Sequence, residues 1–138
     1  MGSEQNKIAS TQPTGSVVSI GSKQDVELLP MSPAAAKDAV IKEVSCWGGV
    51  SVHEHRMGGV EFRLGRRELG HLHSTIADLP FLRHVRDELV AAGHARPHHV
   101  LPDSGWVTVP IRTTSEVANV IELFRRNYER AAKARQQR

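Results

Sequence analysis

Apolar positions along the chain change their period four times, and each change marks an element. Val40, Ile41, Val44 and Trp47 recur at helical spacing, which predicts a first helix over residues 33–47. Ser32 is a good N-cap, Pro33 suits the first helical position, and Gly48 with Gly49 ends the run. Alternation follows. Over 50–56, Val50 and Val52 oppose Ser51, His53 and His55; Met57-Gly58 turns; Val60, Phe62 and Leu64 alternate over 59–64; Gly65-Arg66 turns again. Over 67–73, Leu69, His71 and His73 share a face opposite Glu68, Gly70 and Leu72. Period two is the mark of half-buried strands, and turns this short favour an antiparallel meander.

The helical period returns at 81–92 through Leu82, Val85, Leu89 and Val90, with Asp78-Leu79-Pro80 read as its opening and Gly93 as its cap. A loop over 94–105 leads to a strand over 106–111, where Pro110 argues for an edge position or the strand's end. Thr113 and Glu116 have capping-box spacing before a last helix buried through Val117, Val120, Ile121, Phe124 and Tyr128. The expected order is αβββαβα, an α+β fold with three helices and a small, mostly antiparallel four-stranded sheet.

Residues 1–30 read differently. They are rich in Ser, Gly, Gln and Thr and hold no sustained period, so disorder is expected, with Val17-Val18-Ser19-Ile20 able to pair if a sheet edge is free. Met31-Ser32-Pro33 has the look of a second start, so residues 1–30 read as an added leader or a natural tail, and 31–138 as one domain. The chain of 138 residues suits a single core, and with aromatics at only 4% that core must be aliphatic, plugged by Trp47, Phe62, Phe81, Trp106, Phe124 and Tyr128.

The lone thiol, Cys46, cannot make an internal disulfide and reads as a small buried apolar side chain. With neither an apolar run long enough to span a membrane nor a secretory signal, the sequence points to a cytoplasmic protein. The net charge of +3 gathers in Arg125, Arg126, Arg130, Lys133, Arg135 and Arg138. A basic helix end complements the helix dipole, and no nucleic-acid motif accompanies it, so nucleic acid is not an expected partner. A homo-oligomer is compatible with the sequence.

The chemistry lies in the eight histidines, six of which fall in close pairs: His53 and His55, His71 and His73, His98 and His99. Imidazole is the usual acid-base group and metal ligand near neutral pH. His-x-His on a strand puts both rings on one face, where two ligands begin a metal site without completing it. An exposed, solvated face is the plainer expectation for His53 and His55; Leu69 suggests more burial for His71 and His73. His98 and His99 sit in a proline-bounded loop just before Asp103, which can equally form an Asx-type turn. Nucleophile elbows, phosphate loops and paired-cysteine zinc patterns are absent.

The runs Gly59-Val60-Glu61-Phe62 and Arg66-Arg67-Glu68-Leu69-Gly70-His71-Leu72-His73 resemble the heart of the luciferase-domain family, that of the fungal luciferases. Arg96-Pro97-His98-His99-Val100-Leu101-Pro102, Trp106-Val107-Thr108-Val109-Pro110 and the helix from Ser115 to Tyr128 are similar to its later blocks. The fungal members oxidise 3-hydroxyhispidin with molecular oxygen. The resemblance therefore implies a small oxygenase acting on an enolisable polar aromatic substrate, with oxygen as co-substrate and no cofactor. On that reading His71 or His73 is the general base, His98 orients the substrate or stabilises an oxyanion, and Glu61 fixes a histidine tautomer. His99, Asp103, Trp106 and Arg67 would contact substrate, in a pocket between the His71/His73 face and the 94–105 loop. Two other expectations stand beside it: a metal-binding domain using His71, His73 and His98 or His99, with Asp103, and a non-catalytic binding module.

Overall fold

The computed structural model describes residues 29–137; the expected tail and its Val17–Ile20 strand lie almost wholly outside them. The elements are α1 (Pro33–Val44), β1 (Val50–His55), a 3-10 turn at Arg56–Gly58, β2 (Gly59–Leu64), β3 (Arg67–His73), β4 (Ile76–Pro80), α2 (Arg83–Ala91), β5 (Arg96–Pro97), β6 (Trp106–Pro110) and α3 (Thr114–Gln136). All pairings are antiparallel, in a six-stranded sheet of order β1-β2-β3-β4-β6-β5. The α+β class stands, but the sheet has six strands where four were expected, and the order is αββββαββα. Pro110 ends β6 opposite Ile76.

The extra strands explain the difference. Asp78-Leu79-Pro80 does not open a helix; it finishes β4, and α2 starts later, with Leu82 as its N-cap. The Asp-Leu-Pro run copies a helix start, and aspartate is depleted in strands, so local preference pointed the wrong way. β5 has only two residues, too few to leave a period.

The caps behave as local chemistry dictates. Ser32 Oγ accepts from Ala35 N–H at 3.1 Å, and Thr113 Oγ1 accepts from Glu116 N–H at 3.1 Å. α1 is shorter than its apolar stripe, because Ser45 caps it and Trp47 reaches the core from the turn beyond. Cys46, expected inside, is exposed, with its thiol donating to the Lys42 carbonyl. That turn can bury only one of the two neighbours, and the larger indole takes the place.

The sheet has two unlike faces. Phe62, Leu72, Ala77, Leu79, Val107 and Val109 point into a core closed by α1 and α3 through Val40, Val44, Val120, Leu123 and Phe124. Among the described residues no helix covers the other face, which carries the polar residues.

One irregularity sets which residues reach that face. Phe62 pairs with Gly70 and Arg63 with Glu68, so Leu69 is an extra residue, bulged from β3. Leu69 is fully buried, and the bulge brings Glu68 to the same face as His71 rather than the opposite one. Buried Asn127 of α3 donates to the Leu69 carbonyl at 3.0 Å and to the Pro80 carbonyl at 2.8 Å, satisfying two backbone acceptors. Gly70 has φ 149°, and a Cβ there would lie 2.8 Å from Phe124 Cε1 and 2.9 Å from the Asp78 carbonyl oxygen. Gly70→Ala is therefore expected to destabilise the fold by about 2–3 kcal/mol, from overpacking and backbone strain together. Urea unfolding measures it; an unchanged midpoint would show that the bulge tolerates a side chain.

Candidate functional site

The pairing register draws one polar row straight across the sheet. His53 lies opposite Glu61, Glu61 opposite His71, His71 opposite Asp78, Asp78 opposite Thr108, and Thr108 opposite Arg96. Directly paired residues on antiparallel strands project to the same face. Each strand thus contributes one member of the row, and side chains from distant parts of the chain become neighbours.

At its centre is Asp78, only 1% exposed. Its Oδ1 accepts from Thr108 Oγ1 at 2.7 Å. Its Oδ2 faces four imidazole Nε2 atoms: His73 at 2.9 Å, His71 at 3.3 Å, His99 at 3.4 Å and His98 at 3.6 Å. Two of the rings come from β3 and two from the loop before β6. That loop is tied to α2, where Arg86 and Arg83 donate to the carbonyls of Pro102 and Asp103.

The rings differ in how they are held. His71 Nδ1 lies 2.7 Å from Glu68 Oε2, and its ring stacks on His55 with centroids 4.0 Å apart. Burial opposes charge on His71, but hydrogen bonds to Asp78 and Glu68 outweigh it and raise the pKa to about 9. Burial likewise opposes the charge of Asp78, and the His71, Thr108 and His73 hydrogen bonds hold its carboxyl well below the usual range.

His98 is set the other way. Its Nδ1 accepts the backbone N–H of Val100 at 3.1 Å and of Leu101 at 3.0 Å. A nitrogen that accepts cannot carry a proton, so the neutral ring has its hydrogen on Nε2, aimed into the site. Burial and the neighbouring imidazoles lower the pKa of His98 against the pull of Asp78.

These groups floor an open cleft of about 570 Å³ lined by His55, Arg56, Met57, Glu68, His71, His73, Asp78, His98, His99, Val100, Leu101 and Trp106. Its rim is apolar: Met57, Val100 and Leu101 are three of the six large hydrophobic side chains exposed among the described residues. Trp106 forms one wall, its ring 5.5 Å from that of His71 and 6.0 Å from that of His98.

Of the residues singled out in the sequence, His55, His71, His73, His98, His99 and Trp106 line this cleft. Glu61 lies opposite His71 in the register, but its hydrogen bonds go elsewhere. It holds His55 Nδ1 at 3.0 Å and the Arg63 guanidinium, and the His55 ring stacks on that of His71. Asp103 is exposed at the far end of the loop and Arg67 lies at a separate cavity with Arg66 and Arg135; neither lines the cleft. His53 is exposed and bonds Ser51, whereas His55 is half-buried. Asp78 and Thr108 were not foreseen as functional, nor was Glu68. A lone acid inside the short apolar run Ile76-Ala77-Asp78-Leu79 was the available signal for Asp78.

The model of the Luciferase domain family matches residues 66–127, a stretch that carries β3 through most of α3 and every one of His71, His73, Asp78, His98, His99, Trp106 and Thr108. No curated protein and no solved structure matches the chain.

Replacing Thr108 by Val leaves Asp78 Oδ1 without its side-chain donor in a buried place. Thr108→Val is expected to lower stability by about 1–3 kcal/mol, with Thr108→Ser restoring most of it. Thermal unfolding of the two variants measures this, and equal midpoints for Val and wild type would mean that water serves Oδ1 as well.

Proposed function

From the luciferase domain carried by residues 66–127, we propose that the protein is an oxygenase that joins molecular oxygen to an enolisable, polar aromatic small molecule in the Asp78 cleft. One observation carries the reading: four imidazoles and a buried carboxylate converge at the floor of an open cleft whose rim is apolar. A flat ring fits against Trp106 and between the rim side chains, with its oxygen atoms at the histidines. The absence of a nucleophile motif from the sequence agrees with chemistry in which the substrate itself supplies the electrons.

The roles follow from how each ring is held. Both nitrogens of His71 face carboxylates, Glu68 and Asp78, so His71 has no nitrogen left to act as the base. His99 has the most exposed of the four imidazoles, 45%, and makes a longer contact to Asp78 than either β3 histidine does. His99 takes the enol proton. The enolate carbon then gives its electrons to oxygen, a carbon–oxygen bond forms, and the distal oxygen becomes a peroxide anion that recovers the proton. His98 presents its Nε2–H to the developing anion, and its two backbone partners prevent it from turning the lone pair inward instead.

Oxygen uptake with 3-hydroxyhispidin, and with simpler 3-hydroxy-2-pyranones, tests the proposal. The protein as purified is expected to consume oxygen in proportion to its amount, and His99→Ala and His98→Ala to lower kcat/KM by about 10²-fold each. Uptake no greater than a protein-free blank for every enol tried would overturn it.

A further inference from the structure

We infer that His71, His73 and Asp78 form a binding site for one divalent transition-metal ion, held by the two Nε2 atoms and the carboxylate. The inference concerns the same cleft as the oxygenase reading, and rests on that reading only for what the ion does there.

The first observation is crowding. Four Nε2 atoms lie 2.9–3.6 Å from the single oxygen Asp78 Oδ2. Hydrogen bonding alone does not require so many, since a carboxylate offers about four acceptor sites over its two oxygens. A cation does require such convergence. The ligand atoms of His71, His73 and Asp78 all lie within 4.8 Å of one another. An ion with bonds of about 2.0–2.2 Å closes that span with small side-chain rotations.

The second observation is independent of the cluster. A histidine that ligates through Nε2 keeps its proton on Nδ1 and gives it to a carboxylate or carbonyl. His71 has that arrangement, with Glu68 Oε2 at 2.7 Å from Nδ1, and only the Leu69 bulge puts Glu68 on the face where it can do so. His98 has the opposite arrangement. The two N–H groups on its Nδ1 force the proton onto Nε2, so His98 is no ligand despite its distance of 3.6 Å. The group Asp78, His98 and His99, also within 4.8 Å, is excluded on the same ground.

Two imidazoles and one carboxylate on one side of an ion leave coordination positions open, the geometry suited to iron(II) and its neighbours. His98 and His99 border the same carboxylate oxygen, at 3.6 and 3.4 Å, so a molecule bound at the open positions would lie close to them. A substrate with a hydroxyl beside a carbonyl would bind there through both oxygens, which narrows the substrate class to vicinal oxygen chelators. Binding of the hydroxyl oxygen to the ion would also ease its deprotonation by His99.

The test uses the full chain, free of any affinity tag, stripped with a chelator and titrated with cobalt(II) while its visible absorption is recorded. One equivalent is expected to bind, with ligand-field bands. His73→Ala is expected to weaken binding at least about 100-fold and Glu68→Gln by about 10–100-fold, whereas His98→Ala should bind as wild type does. Circular dichroism of each variant separates loss of ligand from loss of fold, and His73→Gln serves if the alanine variant unfolds. No stoichiometric binding by the folded wild type overturns the site; loss of binding in folded His98→Ala overturns this ligand set. Oxygen uptake that survives chelation would leave the oxygenase reading standing without the metal. Stoichiometric cobalt with no uptake of oxygen by the iron-loaded protein would do the reverse.

Discussion

A carboxylate 1% exposed in the middle of a sheet is the constraint around which the open face is organised. Burying Asp78 as an anion is unfavourable unless donors surround it. The sheet supplies them by register: Thr108 from β6 on one side, His71 from β3 on the other, with His73 and the loop histidines completing the shell. Beside it Glu68 faces His71 and Glu61 faces His55 and Arg63, so acids and bases alternate over much of that surface. Residues that would be costly singly are tolerable as an array, because each of these acids has an imidazole within hydrogen-bond reach.

The two faces divide the labour. The helix-covered face is aliphatic, with Phe62 and Phe124 in edge contact at 5.1 Å, and holds the backbone in place. The open face inherits that rigidity and adds polar side chains at fixed spacing. The β3 bulge links the two. Its buried Leu69 fills the core, its carbonyl is held by Asn127, and its shift of parity delivers Glu68 to His71. A site built on strands in this way is placed more accurately than one built on loops alone. The loop contribution, His98 and His99, is in turn tied down by two arginines of α2.

The elements legible in the sequence are those whose period is long enough to be read. β2 and β3 lie where the alternation puts them, and α3 begins where the Thr113 and Glu116 spacing does. β4 escaped because its three central residues, Ala77, Asp78 and Leu79, are all buried, which erases alternation, and because its Asp-Leu-Pro ending imitates a helix cap. The same strand hid the key acid. The histidine pairs stood out by composition, but two facts were beyond any spacing rule: that β3 carries a bulge, and that loop histidines would arrive over β4. Both depend on long-range pairing. Asp103, expected either to contact substrate or to form a turn, stands outside the cleft lining, and its backbone carbonyl anchors the loop to Arg83.

The straightness of the polar row also bears on how the chain folds. His71 and Asp78 meet through a short hairpin, but Thr108 joins only when β6 has docked on β4, after α2 and the whole proline-bounded loop have been laid down. Loop closure over that distance is entropically slow compared with hairpin formation. Until it is complete, the acid on β4 lacks half its donors and the cleft has one wall. The site therefore depends on the strand pairing of longest sequence separation in the sheet, and a chain in which Thr108 and the imidazoles surround Asp78 is one whose β6 has docked on β4.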